Sequence, residues 1–129
     1  MLFEHFLDFL GIGGQIFNRS EILTKTTAVY GPELPFPIAF HCLIATDDEV
    51  YLTGGKRQDI QDNTSPPESS VFIWNKSNDS WRSGPHMIYA RRSHACGSFT
   101  FNNSRFLVVT AGIGFDNYNI TRTEFLKCK

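Results

Sequence analysis

Short apolar runs broken by turn residues, with no long stretch of helical spacing, organise the chain from Phe40 onward. FHCLIAT at residues 40–46 is β-prone and runs into Asp47 and Asp48, a turn pair. EVYLTGG at residues 49–55 predicts a second strand, stopped by Gly54 and Gly55. The polar loop KRQDIQDNTSPPE follows, and its Pro66 and Pro67 oppose both helix and ladder pairing. SSVFIWN predicts a third strand, residues 75–79 a turn and SWRSGP a fourth strand. The order then recurs as HACGSFTF, the turn Asn102-Asn103-Ser104, RFLVVTAGIG, a loop and TRTEFL. At the N-terminus Leu2, Phe3, Phe6, Leu7 and Leu10 also fit a helical face, so a short amphipathic helix competes with a strand there.

That recurrence is a repeat with a period a little over 50 residues. Leu23, Trp74 and Leu126 lie 51 and 52 residues apart, each closing a strand-like run (SEIL, VFIW, TEFL). Tyr30 and Trp81 follow the first two by seven residues, and His41 recurs as His94 at an offset of 53. Gly31-Pro32 recurs as Gly84-Pro85, and GIGGQIFNRSEIL reads against GIGFDNYNITRTEFL. Four strands in about 50 residues are the signature of a propeller blade, one radial sheet packed face to face on its neighbours. The expected fold class is therefore all-β, about two and a half four-stranded blades with the ring incomplete. Residues 1–30 read as a partial blade, 31–81 as a blade and 82–129 as a blade lacking its last strand.

These residues resemble the kelch motif. Its glycine pair is Gly54-Gly55, its two aromatics seven residues apart are Trp74 and Trp81, and its opening segment is Arg91-Arg92-Ser93-His94-Ala95. The resemblance extends from about Gly11 to the end of the chain. The chain departs from the pattern in carrying Ala111-Gly112 for the later pair, Leu for the earlier aromatic in two copies, and no Arg in PFPIAFHC. The resemblance implies a kelch-type β-propeller and a non-catalytic protein-interaction module or scaffold. Gly54, Gly55, Trp74, Trp81, Arg91, His94 and Gly112 are then structural, and the Trp81 and Tyr30 rings are expected to cover the seam between sheets. Two alternatives share the architecture: a fragment of an extracellular copper enzyme of the galactose-oxidase type, and a fragment of a cytosolic ubiquitin-ligase substrate adaptor. No tyrosine, histidine and cysteine set for copper can be mapped residue by residue, and the BTB and BACK domains an adaptor needs are not seen in this chain.

Composition narrows the classes. Among 129 residues, 12 basic and 13 acidic side chains give a formal net charge of −1, which opposes a nucleic-acid partner bound through a basic face. A hydrophobic fraction of 41% with twelve Phe supports a real core. No apolar stretch reaches the length of a membrane span, and Glu4 and Asp8 interrupt the N-terminal run that would otherwise resemble a signal peptide. No phosphate-cradling or nucleophile-elbow motif occurs, and the repeat-equivalent His41 and His94 read as packing residues. Catalytic, cofactor-binding and metal residues are therefore expected to be none. Cys42, Cys96 and Cys128 read as buried free thiols, with a Cys42–Cys96 bridge as the alternative in an oxidising compartment. Six of the eight asparagines, Asn18, Asn63, Asn75, Asn78, Asn102 and Asn119, head an N-x-[ST] sequon, and all six fall in expected turns or loops. The compartment, extracellular or cytoplasmic, stays open.

Partner contacts are expected on the rim loops, because strands only set the frame. The candidates are residues 56–68, long and mixed in charge, and residues 89–93 with Arg91 and Arg92. A row of blades also leaves open faces. Covering about 400 Å² of apolar surface at roughly 25 cal/mol per Å² is worth on the order of 10 kcal/mol, so the remaining blades of a longer chain, or self-association, are expected to be needed.

Overall fold

The structure is a computed structural model that describes residues 4–8, 19–23, 26–58, 66–75, 77–78 and 80–128. It is all-β, with one 3-10 turn at Phe115–Asn117 as its helical element among the described residues. The strands are β1 (Glu4–Asp8), β2 (Arg19–Leu23), β3 (Ala28–Tyr30), β4 (Ile38–Ala39), β5 (Cys42–Ala45) and β6 (Glu49–Thr53). They continue as β7 (Lys56–Arg57), β8 (Val71–Asn75), β9 (Arg82–Ser83), β10 (Ala95–Phe101), β11 (Ser104–Thr110) and β12 (Thr123–Lys127). Three antiparallel sheets carry the fold, in the orders β1-β2-β3, β5-β6-β8-β9 and β10-β11-β12. The N-terminal segment resolves as strand in place of the competing helix, β1 pairing with β2 from Glu4↔Leu23 to Asp8↔Arg19. A two-stranded ladder, β4 with β7, was not foreseen, since Lys56 and Arg57 read as the start of a loop.

Burial explains why the strands read as they do. Val50, Tyr51, Leu52 and Thr53 of β6 and Val71, Phe72, Ile73 and Trp74 of β8 are all buried, because the central sheet is covered on both faces. Its register places Val50, Leu52, Phe72 and Trp74 on one face, where they pack with Leu34, Ile38 and Trp81 and with Ile22 of the first sheet. Ile44, Tyr51, Val71 and Ile73 point the other way, against Leu107, Cys96 and Leu126 of the third sheet. In β11 and β12 burial alternates instead, since among the described residues only one face meets a neighbouring sheet. The other face presents Phe99 stacked on Phe106, centroids 5.4 Å apart, with Phe125 edge-on to Phe99 at 6.0 Å.

Two sequence expectations are corrected. Cys42 and Cys96 are joined in a disulfide between β5 and β10, with Cα atoms 6.2 Å apart, and are not free thiols; Cys128 is the free one. Trp81 does cover a seam, its indole N–H donating to the Pro32 carbonyl at 3.2 Å and its ring 6.1 Å from that of Trp74. Tyr30 does not. It lies on the first sheet, where its ring is 70% exposed.

Candidate functional site

One rim of the sheet stack is built from the end of β6, the approach to β8, the linker between β9 and β10, and the segment between β11 and β12. Gly54 and Gly55 turn the chain there at φ 60° and 100°. A Cβ on Gly54 would sit 2.4 Å from the Arg91 carbonyl oxygen, and one on Gly55 2.6 Å from that of Ala39. Dihedral and space both demand glycine. The turn then locks the linker: Gly55 N–H donates to Arg91 O at 2.9 Å, Arg91 N–H to Glu68 O at 3.1 Å and Met87 N–H to Ser69 O at 2.8 Å.

Arg91 has no exposed side-chain surface and acts as the cross-tie of this rim. Its Nη1 donates to the carbonyls of Ala111 at 3.0 Å and Arg122 at 2.9 Å, and its Nη2 to Glu124 Oε2 at 2.7 Å. Glu124 in turn accepts the backbone N–H groups of Ile88 and Tyr89. The planar guanidinium suits such a fork. Arg91 therefore cannot be a contact residue of the 89–93 segment as the sequence reading had it. Its charge is spent inside the molecule.

His94 lies beneath the same turn, its Nε2 2.8 Å from Thr53 Oγ1. Burial first, and then the charge of Arg91, lowers its pKa to about 4; burial and the neighbouring His94 lower that of His41 to about 4. Both imidazoles are neutral at pH 7 and sit inside the framework. Gly112 (φ 93°) completes the cradle, since a Cβ there would meet His94 Cβ at 2.8 Å. Trp74 caps the opposite end of the central sheet, its indole N–H donating to Asn78 O at 2.7 Å. These residues, spread over the repeat, meet at the joints between sheets.

What the rim offers outward is aromatic. Phe40, Ile88, Tyr89, Phe115 and Tyr118 are exposed, Ile88 to 82% and Tyr118 to 73%. Arg92 lies among them, its guanidinium carbon 5.7 Å from the Phe40 ring centroid and its Nη2 3.2 Å from Asn117 Oδ1. The backbone beneath is fixed: Arg92 and Ile113 exchange two hydrogen bonds of 3.0 and 2.9 Å, and Ser93 N–H donates to Phe40 O at 2.8 Å. Phe40, Ser93, Asp116 and Asn117 hold positive φ values of 58°, 54°, 52° and 59°. Non-glycine residues adopt that region where the surroundings over-determine it. Of the other candidate loop, residues 56–68, residues 59–65 lie outside the described residues.

A cleft of about 450 Å³ between the central and third sheets is lined by Val71, Met87, Leu107, Val109, Leu126 and Glu124 among others. Glu124 is committed to Arg91, and His86 at the edge of the cleft has its Nδ1 3.2 Å from Ser69 Oγ. No group of three His, Cys, Asp or Glu converges on a metal-binding point among the described residues. No helix is long and apolar enough to cross a membrane among them either. Of the sequons, Asn75 and Asn78 lie at the β8–β9 turn, Asn102 in the β10–β11 turn and Asn119 between β11 and β12. Asn18 and Asn63 lie outside the described residues.

Residues 37–88, which take in the whole central sheet and half of the linker, match the family model of the kelch motif. The chain carries a kelch repeat. No curated protein matches the chain. Within the kelch repeat the matched segment carries Gly54, Gly55, Trp74 and Trp81, while Arg91 and His94 stand just beyond it. Kelch repeats commonly serve as protein-interaction modules and are typically non-catalytic. The residue that sequence reasoning missed is Glu124. Its signal was present, a lone acid among the alternating positions of TRTEFL, on the side of the strand that faces the central sheet.

Proposed function

We propose that this kelch-repeat chain is a non-catalytic protein-interaction module that binds through the rim bearing Phe40, Arg92, Phe115 and Tyr118. The observation that carries the reading is the placement of exposed aromatics around one arginine on a backbone already fixed by hydrogen bonds. Aromatic side chains and Arg are enriched at the energetic centres of protein interfaces. A fixed backbone adds little ordering cost on binding. The buried network of Arg91, Glu124 and His94 supports this surface and does no chemistry.

The same reading has the outer face of the third sheet covered in the assembled protein, by the remaining blades of a longer chain or by self-association. In the repeat register Val108 and Phe125 of that face correspond to Tyr51 and Ile73, which the central sheet buries against its neighbour.

The test is binding of a protein partner by the full chain and by two variants. Tyr118→Ala combined with Phe115→Ala should weaken binding at least tenfold, whereas Asp48→Arg, on the opposite rim, should leave it unchanged. Equal affinity for all three would remove the rim assignment.

A further inference from the structure

We propose that Asn102 and Asn119 are N-glycosylation sites, and that the chain matures in an oxidising compartment that transfers oligosaccharides. Two independent observations converge on this. The first is the Cys42–Cys96 disulfide, which joins the β5 and β10 strands of neighbouring sheets across 54 residues of chain. Bridges of this kind persist where the surroundings are oxidising and are rare where thiols are kept reduced. The second is the placement of the sequons in the folded chain. Asn102 heads the two-residue turn between β10 and β11 and is exposed at φ 49°. Asn119 lies on the loop between β11 and β12, exposed together with Thr121. A glycan on either would project into solvent without displacing a core residue, and the one on Asn119 would stand beside Tyr118 at the edge of the aromatic rim, where it would limit the partner surfaces that can approach.

The other sequons fit less well. Asn75 is half-buried at the end of β8, and its Oδ1 accepts both the Ser77 N–H at 2.9 Å and the Ser77 hydroxyl at 2.6 Å. The sequon at Asn78 runs through residue 79, which lies outside the described residues, as do Asn18 and Asn63. Asn102 and Asn119 also lie at opposite ends of the third sheet. Arg105, beside the Asn102 turn, approaches Asp47 in the β5–β6 turn at 3.9 Å, whereas Asn119 bridges to Ile113, the partner of Arg92.

The two thiols form a sulfur–sulfur bond and give up two electrons and two protons to a disulfide oxidant, which becomes a dithiol. At each asparagine, Nδ2 forms a bond to the anomeric carbon of a lipid-linked oligosaccharyl pyrophosphate. The carbon–oxygen bond to phosphate breaks, the lipid pyrophosphate leaves, and one amide proton is lost.

The natural protein, immunopurified with an antibody to this chain, tests the proposal by peptide mass spectrometry. Digestion in ¹⁸O-water with the amidase that cleaves the glycan–asparagine bond should convert Asn102 and Asn119 to ¹⁸O-labelled aspartate, with no label in a control lacking enzyme. Under denaturing conditions Cys128 should alkylate directly, and Cys42 and Cys96 only after a reductant is added. Unlabelled asparagine at both positions would overturn the glycosylation sites, and at one position would overturn that site. Direct alkylation of Cys42 and Cys96 would overturn the compartment.

Discussion

Replacing Arg91 with methionine keeps the aliphatic stem and removes the guanidinium. The Ala111 and Arg122 carbonyls lose their donors, and Glu124 is left beside two backbone N–H groups with no cation. Arg91 is fully buried and Glu124 13% exposed, so the carboxylate has little water to fall back on. Removing one partner of such a pair costs about 3–5 kcal/mol. That is a large part of the roughly 5–15 kcal/mol by which a domain is stable. With a urea slope of about 2 kcal/mol per molar, the unfolding midpoint should fall by about 2 M. Arg91→Lys should lie between, because it restores the charge without the planar fork. In the double variant with Glu124→Gln the destabilisation should be smaller than the sum of the single effects by about 1–3 kcal/mol. Denaturation followed by tryptophan fluorescence reads all of these, since Trp74 and Trp81 are both buried. A shift in Arg91→Met worth under about 1 kcal/mol, or strict additivity with Glu124→Gln, would refute the cross-tie.

Three further outcomes follow from the same geometry. Ala111 holds φ 61° where the central repeat has Gly54 at φ 60°, so Ala111→Gly should stabilise by about 0.5–1 kcal/mol, measured as a higher thermal midpoint. His41 and His94 are held near pKa 4, below the unfolded value of 6.5, so the folded state binds fewer protons and stability is complete above about pH 6.5. It should fall as pH drops from 6.5 toward 4, by on the order of 1–2 kcal/mol per histidine at pH 5; a loss about half as large in His94→Gln as in wild type would locate half of the effect at His94, and an unchanged loss would refute its share. Reducing the Cys42–Cys96 bridge frees a loop of 54 residues in the unfolded chain and should cost about 4 kcal/mol, seen as a lower midpoint with reductant that Cys42→Ser no longer shows.

The strands were legible because their burial forces unusual residues into short windows. EVYLT and VFIWN are apolar on both faces, which only a sheet between two sheets can accommodate, and the paired glycines mark a place where the backbone turns left with no room for a side chain. The disulfide was hidden by the repeat itself. Cys42 aligns with Ala95 at the offset of 53 that relates His41 to His94, leaving Cys96 one residue out of register. In a strand one residue is a change of face. That displacement turns Cys96 toward the central sheet, where Cys42 meets it. The partners of Arg91, which the kelch resemblance marks as structural, were hidden for a different reason. A charged residue in a linker reads as solvated, and its burial depends on Glu124 and on carbonyls up to 31 residues away, which no local window contains. The aromatic rim was illegible in the same way, since Phe40, Phe115 and Tyr118 sit in unrelated segments and only the fold brings them to one end.

The most direct measurement of the central claim is hydrogen–deuterium exchange of the full chain with and without a bound protein partner. Binding through the aromatic rim should slow exchange at residues 88–93 and 113–120 and leave the turns at residues 46–48 and 102–103 unchanged. Protection confined to those two turns, or to the outer face of the third sheet, would contradict it.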